Sequence, residues 1–126
     1  MSEGQLMRDH LEPLLLSANV DLFINGHVHA YERTLPVANG ELARSASSGI
    51  PHITIGDGGN REGFAYKWNE PQPDWSAIRE YAYGYGTLKL NQSHAVWRWM
   101  RNDDPWNPPP RGTLGDEAVY ARHTSQ

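Results

Sequence analysis

Apolar side chains near the start of the chain recur three or four places apart, which is the spacing of one face of an α-helix. The pattern predicts an amphipathic helix over residues 3–17. Pro13 lies inside this segment and has no backbone N–H to donate, so we expect a kink or an early end near Glu12. The apolar residues that set the spacing are Leu6, Met7, Leu11, Leu14 and Leu15.

Two short apolar segments predict buried strands in the middle of the chain. The segment "VDLFIN" ends at Gly26, and "HITI" at 52–55 runs into the glycine-rich segment "GDGGNREG" at 56–63. Between them, "ANGE" at 38–41 is typical of a hairpin turn, because Asn and Gly tolerate the positive backbone dihedrals that such turns need.

The last third of the chain alternates between apolar and polar residues in a way that predicts further strands. The segments "YGTLKL" and "HAVWRWM" flank a short turn, "NQS", and "EAVYAR" at 117–122 predicts a last strand. Residues 66–80 mix Pro, Trp and charge, which predicts an ordered connector. One helix followed mostly by strands predicts an α/β fold, with a β-rich sheet packed on one side by the helix.

Composition narrows the class of protein. A chain of 126 residues fits a single domain, residues 1–126. The net charge is -4 and no basic run occurs, which argues against nucleic acid as a partner. No cysteine is present, so a disulfide framework and a thiolate metal site are both excluded. The sequence carries no recognisable signal peptide and no apolar run long enough to span a membrane.

The segment "INGHVHAYERT" contains the candidate metal ligands, His27 and His29. If the segment is extended, residues two apart project to the same side, and each imidazole reaches a different ion of a two-metal site. A bare His-x-His is weak evidence, because histidines in loops are more often surface residues. The surrounding strings are more specific.

"GHVHAYERT", "ITIGDGGNREG", "PDWSAIRE", "YGYGTLKL" and "HAVWRWMRND" follow one another along the chain. In order and spacing they resemble the C-terminal portion of the purple acid phosphatases, a family of binuclear metallophosphoesterases. The resemblance implies the C-terminal half of a metallophosphoesterase-type β-sandwich. It also implies a centre that pairs ferric iron with zinc, manganese or a second iron, with His27 on the divalent ion and His29 on the ferric ion.

The family builds its centre from five blocks, and only the G-H-x-H block is found here. Two neutral imidazoles cannot balance the charge of two such cations, since ferric iron needs anionic oxygen ligands. Asp21 is too far along the preceding strand, and nothing in the sequence turns Glu32 back toward the pair. We therefore expect phosphate monoester hydrolysis only when the upstream half is present, and no meaningful activity from this chain alone.

Three accounts of the chain remain open at this point. It is a piece of a complete phosphatase, an inactive relative that keeps the fold as a structural or self-assembling glycoprotein module, or one of two chains that complete the site together. All three predict a partner that covers an exposed apolar sheet face. The partner is the upstream half, another protein chain, or further copies in an oligomer or filament.

Three further segments suggest a glycosylation site, a loop with a structural or anion-binding role, and part of the core. Asn91-Gln92-Ser93 is an N-glycosylation acceptor sequence in an expected turn, and the resemblance implies a secreted, extracellular or vacuolar glycoprotein. The glycine-rich segment either cradles an anion with its amides or is a structural turn locked by Asn60, Arg61 and Glu62. Trp97 and Trp99 lie two apart in a strand and are expected to pack together in the core.

Overall fold

The computed structural model describes residues 3–65, 67–102 and 112–122. Helix α1 spans Glu3–Ser17. The expected early end near Glu12 is wrong, because the helix continues through Pro13. Pro13 removes the one hydrogen bond that its own N–H would make, and the remaining residues continue the helix to Ser17.

Within the described residues, nine strands follow the helix and form two main sheets and one hairpin. The strands are β1 (Phe23–Asn25), β2 (Tyr31–Thr34), β3 (Val37–Ala38), β4 (Glu41–Leu42), β5 (His52–Ile55), β6 (Ser76–Glu80), β7 (Gly84–Leu90), β8 (His94–Arg101) and β9 (Leu114–Ala121).

The first sheet has the strand order β1-β5-β2-β6. Strand β5 pairs in parallel with β1 and antiparallel with β2, which in turn pairs antiparallel with β6. Tyr31, Arg33, Ile53 and Ile55 share one face of this sheet by register, and that face packs against the second sheet. His52 lies on the opposite face, where burial lowers its pKa and the nearby Glu12 of α1 opposes that effect.

The second sheet is an antiparallel meander in the order β7-β8-β9. Trp97 and Trp99 of β8 are 3% and 0% exposed and project from the same face, as the alternation along "HAVWRWM" predicted. Gly86 lies opposite Trp99 in the register, and a Cβ there would come within 1.8 Å of the Trp97 ring. The absent side chain makes room for the indole.

The two sheets are joined by an aromatic and polar cluster. The Tyr31 ring stacks on Trp99 with a centroid distance of 4.1 Å and an interplanar angle of 4°. Trp97 Nε1 donates a hydrogen bond to Tyr31 Oη, at 2.8 Å, and Tyr31 Oη donates to Asp116 Oδ2, at 2.7 Å. Arg33 binds the same carboxylate with two nitrogens. Strand β2 is thereby fixed to both β8 and β9.

The expected order of one helix and then mostly strands is confirmed, and the "ANGE" turn joins β3 to β4 with positive φ at Asn39 and Gly40. Strand β6 lies in the segment that was expected to be only a connector, so that expectation is wrong for residues 76–80. The single-domain assignment stays a prediction. Among the described residues, no helix is long and apolar enough to cross a bilayer.

Candidate metal site

His27 and His29 lie in the bend between β1 and β2, which we call the histidine loop (residues 26–30). The backbone here is bent, and His27 has a φ of 76°, in the left-handed region. The extended geometry expected for the pair is therefore wrong. The reason is topological: β1 is parallel to β5 and β2 is antiparallel to it, so the chain reverses direction within these five residues.

His29 is held by a backbone carbonyl. Its Nδ1 lies 3.0 Å from the carbonyl oxygen of Gly63 and 4.0 Å from Glu62 Oε2. Both neighbours are acceptors, so in the neutral ring Nδ1 carries the proton and donates it to Gly63. Nε2 then keeps its lone pair, which is the state that a metal-binding imidazole requires. His27 is exposed to solvent.

The residues that follow β5, which we call the glycine-rich loop (residues 56–65), pack against the histidine loop. Besides the Gly63 contact, the amide of Ala65 donates to the carbonyl oxygen of His29 at 3.1 Å. At Gly56, an added Cβ would lie 1.9 Å from the carbonyl oxygen of Val28, so the two backbones touch there. The two loops form one packed unit at the end of the first sheet.

Asp57 ties this unit to the second sheet. Its side chain is fully buried, and its Oδ2 accepts a hydrogen bond from Trp99 Nε1 at 2.7 Å. Its carbonyl oxygen accepts from the amide of Gly84 at 3.1 Å. Burial raises the pKa of Asp57, and the hydrogen bond from Trp99 opposes that effect. Within the described part of the chain, Asp57 Oδ1 has no hydrogen-bond partner.

The carboxylates near the histidines do not complete a metal site. Glu32 Oε1 accepts a hydrogen bond from Ser76 Oγ at 2.6 Å, which engages it with β6. Across residues 3–65, 67–102 and 112–122, no group of three or more His, Cys, Asp or Glu side chains is arranged to hold a metal ion. The chain offers two imidazoles as a partial ligand set.

Asn91 lies in the exposed turn between β7 and β8. Its Oδ1 accepts hydrogen bonds from the amides of Ser93 and His94, both at 2.8 Å, and from Ser93 Oγ at 3.2 Å. The side-chain oxygen is occupied by the turn, and the amide nitrogen of an exposed side chain remains accessible.

Comparison with known proteins places the chain in a family. The sequence model described as iron/zinc purple acid phosphatase-like protein C matches residues 49–108. Purple acid phosphatase 18 from Arabidopsis thaliana is 53% identical over 103 residues, which cover 81% of this chain and 23% of that protein. A phosphoenolpyruvate phosphatase from Allium cepa is 46% identical over 97% of this chain and 27% of its own length.

The chain belongs to the purple acid phosphatase family. It corresponds to the C-terminal portion, as the sequence motifs predicted, and spans about a quarter of the length of these relatives. The purple acid phosphatase from yellow lupin seeds has a TM-score of 0.69 over 84% of this chain and 18% of that one, at 23% identity. GAP50, the anchor in the inner membrane complex of Plasmodium, also has a TM-score of 0.69, at 20% identity, over 97% of this chain and 32% of its own.

Purple acid phosphatases are binuclear metal enzymes, and the donors present in this chain fit part of such a centre. His29 meets the requirement of a neutral imidazole whose second nitrogen is fixed by an outer hydrogen bond. His27 is exposed two residues away. The anionic oxygen ligands that a pair of multivalent cations needs are not gathered around these histidines in the described residues.

The sequence nominated the two histidines as ligands, which stays a prediction, and gave no indication of the contact that holds His29. The glycine-rich segment was taken as an anion cradle or as a turn locked by its own polar residues. Asn60 does close the turn, since its Oδ1 accepts from the Glu62 amide at 2.7 Å. The contact that matters for His29 is the backbone carbonyl of Gly63. A carbonyl is common to every residue, so only the number of glycines signals a close backbone approach here.

Proposed function

We propose that this chain contributes His27 and His29 to a binuclear metal centre that hydrolyses phosphate monoesters. The centre forms when the upstream half of a purple acid phosphatase, or a chain equivalent to it, supplies the remaining ligands. By itself the chain has no meaningful phosphatase activity. By family resemblance the metals are ferric iron with zinc, manganese or a second iron, and the reaction is that of an acid phosphatase.

The observation that carries this proposal is the hydrogen bond between His29 Nδ1 and the carbonyl of Gly63. In the neutral ring it selects the tautomer whose Nε2 can bind a metal, and it orients the ring in advance. The partner is a backbone segment 34 residues further along the chain, so the ring orientation is set by the packing of the two loops.

The charges of the ligands determine what this chain and the upstream half each contribute to the centre. When bound, a pair of metal ions would supply a nucleophilic hydroxide and would stabilise the charge of the phosphoryl group. His27 and His29 are neutral donors, so they position the ions and neutralise none of their charge. His29 would bind the ferric ion and His27 the divalent ion. The carboxylate and phenolate ligands that balance the charge belong to the upstream half, which is why the chain alone is inactive.

Metal titration of the intact chain tests the ligand assignment. With Zn²⁺ as probe, isothermal titration calorimetry should detect weak binding that is lost in His29→Ala and in His27→Ala. His10→Ala is the matched control, since His10 is an exposed histidine on α1. Equal binding by all four proteins would refute the assignment.

Reconstitution tests the activity. The chain mixed with the upstream half of a purple acid phosphatase relative and Fe³⁺ plus Zn²⁺ should hydrolyse a phosphate monoester, and the chain alone should not. His29→Ala should abolish the reconstituted activity. Turnover by the chain alone, with both metals fully bound, would contradict the proposal.

A second candidate function is a non-enzymatic glycoprotein module that keeps the fold and self-assembles. It is favoured by the exposure of leucines that face the core side of the second sheet, Leu88 at 38% and Leu90 at 71%. Native material that is assembled and free of metal would favour this function over the enzymatic one. Native material with two metals per assembled unit would exclude it.

Under either function we propose that the protein is extracellular or vacuolar and carries a glycan on Asn91. The exposed turn and the accessible side-chain nitrogen support this assignment. Mass spectrometry of the native protein should find a glycan on the peptide that contains Asn91. Detection of this peptide in its unmodified form alone would contradict the assignment.

A further inference from the structure

Hydrogen bonds connect His29, through the glycine-rich loop, to the buried side chain of Trp99 in the second sheet. The ring nitrogen Nδ1 and the carbonyl oxygen of His29 bind Gly63 and Ala65, both in the glycine-rich loop. That loop is fixed at its other end by Asp57, which accepts hydrogen bonds through its side chain from Trp99 and through its carbonyl from Gly84. The glycine-rich loop therefore connects the second sheet to the carbonyl of Gly63.

A carboxylate at the position of Asp57 is unfavourable for stability taken alone. The side chain is fully buried, one of its oxygens is unpartnered within the described residues, and no basic group pairs with it there. Such a group costs free energy that an apolar side chain of the same shape would not. What it provides is a directional bond to the only polar atom of the Trp99 side chain, in the middle of the core.

The geometry points to a positioning role: Asp57 and Trp99 anchor the glycine-rich loop as a brace that fixes the ring direction and the Nδ1–H tautomer of His29. This inference rests on the proposed function only for the use of His29 as a metal ligand. It explains why a sheet that contributes no metal ligand among the described residues is hydrogen-bonded to the glycine-rich loop, which in turn holds His29.

Four variants of the intact chain separate the brace from general stability. Asp57→Leu keeps the approximate shape and removes the acceptor. Trp99→Phe removes the donor and keeps an aromatic ring over Tyr31. Asp57→Asn is the conservative variant, since its side-chain oxygen still accepts from Trp99. Ile78→Val is the control, because it trims the core on β6, which is separated from β5 by β2.

The first readout is the tautomer of His29 in the metal-free chain. Long-range ¹H–¹⁵N correlation spectra at a pH about two units above the ordinary histidine pKa of ~6.5 distinguish protonated from unprotonated ring nitrogens. Wild type, Asp57→Asn and Ile78→Val should show Nδ1–H alone. Asp57→Leu and Trp99→Phe should show a mixture of tautomers, while circular dichroism confirms that both remain folded.

The second readout is the dissociation constant for Zn²⁺ measured by calorimetry. Loss of an outer hydrogen-bonding partner typically weakens metal binding by about 10- to 100-fold, and Asp57→Leu should fall in that range, with Asp57→Asn close to wild type. An Nε2–H tautomer in the wild type would overturn the brace, as would an unchanged tautomer in folded Asp57→Leu and Trp99→Phe. So would a change of tautomer in Ile78→Val as large as that in Asp57→Leu.

The two proposals fail in different ways. If the tautomer responds as expected while Zn²⁺ binding does not depend on His29, the brace is supported and the ligand assignment is refuted. If Zn²⁺ binding depends on His29 while the tautomer is indifferent to Asp57 and Trp99, the ligand assignment stands and the brace is overturned.

Discussion

Two neighbouring acidic residues on β9 illustrate how burial decides the value of a charge. Asp116 pairs with Arg33, and the two side chains are 7% and 16% exposed. Glu117 pairs with Arg98, and these side chains are 41% and 48% exposed. An exposed ion pair contributes little, since water screens it and two long side chains must be ordered. Removal of one partner from a buried pair leaves the other charge buried and without a counter-charge, which is costly.

We predict that Asp116→Asn lowers the free energy of unfolding by about 3 kcal/mol, because it leaves Arg33 without its counter-charge inside the sheet interface. Glu117→Gln, the matched amide substitution one residue away, should cost no more than about 1 kcal/mol. Urea denaturation at neutral pH measures both. Equal losses for the two variants would show that the Asp116 cluster is not a buried ion pair.

The pH dependence of the same cluster is a separate prediction. Burial would raise the pKa of Asp116, but the hydrogen bonds from Arg33 and Tyr31 outweigh it and hold the pKa below the ordinary value. A lowered folded pKa stabilises the protein above the unfolded pKa of about 3.9, and the stabilisation is lost as pH falls through the folded pKa. The difference in unfolding free energy between wild type and Asp116→Asn should therefore be constant near neutral pH and shrink below about pH 4. A difference that persists undiminished at low pH would contradict it.

At the residue scale the sequence nominated candidate ligands but not their geometry. His27 and His29 were nominated from "GHVHAYERT" and stay a prediction, whereas Trp97 and Trp99 were correctly expected in the core. The bend at His27 was missed because the reversal between a parallel and an antiparallel strand is a property of the sheet. Asp57 was missed because a lone aspartate among glycines has the sequence signature of a turn.

At the scale of elements, the glycine-rich loop and the histidine loop depend on one close backbone contact. A Cβ at Gly56 would lie 1.9 Å from the carbonyl oxygen of Val28, while a Cβ at Gly58 would meet nothing within 4 Å. Neither glycine has a positive φ, so an alanine causes no backbone strain at either position. The two variants therefore differ only in whether the added methyl group has room. The two positions form a natural pair of tests within one loop.

We predict that Gly56→Ala destabilises the chain by about 1–3 kcal/mol and weakens Zn²⁺ binding, because the two loops must separate to admit the methyl group. Gly58→Ala should change both quantities little. Thermal unfolding and calorimetric Zn²⁺ titration of the two variants check this. The contact is unimportant for the site if Gly56→Ala binds Zn²⁺ as the wild type does.

Most elements were predictable because their patterns are local. The helix, the strand before the histidines, "HITI" and the three strands of the second sheet were all expected from local patterns. The meander order was not predicted, and β1 is partly exposed instead of buried. Strand β6 was missed because the Pro, Trp and charged residues of 66–80 hide the pattern of this five-residue strand, which pairs with β2. The helix span of 3–17 was correct, and only the early end considered near Glu12 was wrong, because one lost hydrogen bond at Pro13 does not end the helix.

At the scale of the whole molecule, the core face of the second sheet extends beyond the first sheet. Leu90 lies opposite Ala95 in the register, on the face that carries Trp97, yet it is 71% exposed, and Leu88 is 38% exposed. The opposite face of the same sheet carries Val119, which is 60% exposed. Leucines on a core face that remain open to water are expected where another unit of protein completes the core.

We predict that the isolated chain self-associates through this uncovered end, and that the upstream phosphatase half displaces the self-association. Leu90→Lys should make the chain monomeric in light scattering and weaken its complex with the upstream half, without lowering its own stability, because the side chain packs on little within the monomer. Val119→Lys, on the other face of the same sheet, is the control and should change neither quantity. A folded wild-type chain that stays monomeric at high concentration would refute the prediction, and loss of association in Val119→Lys alone would place the interface on the outer face.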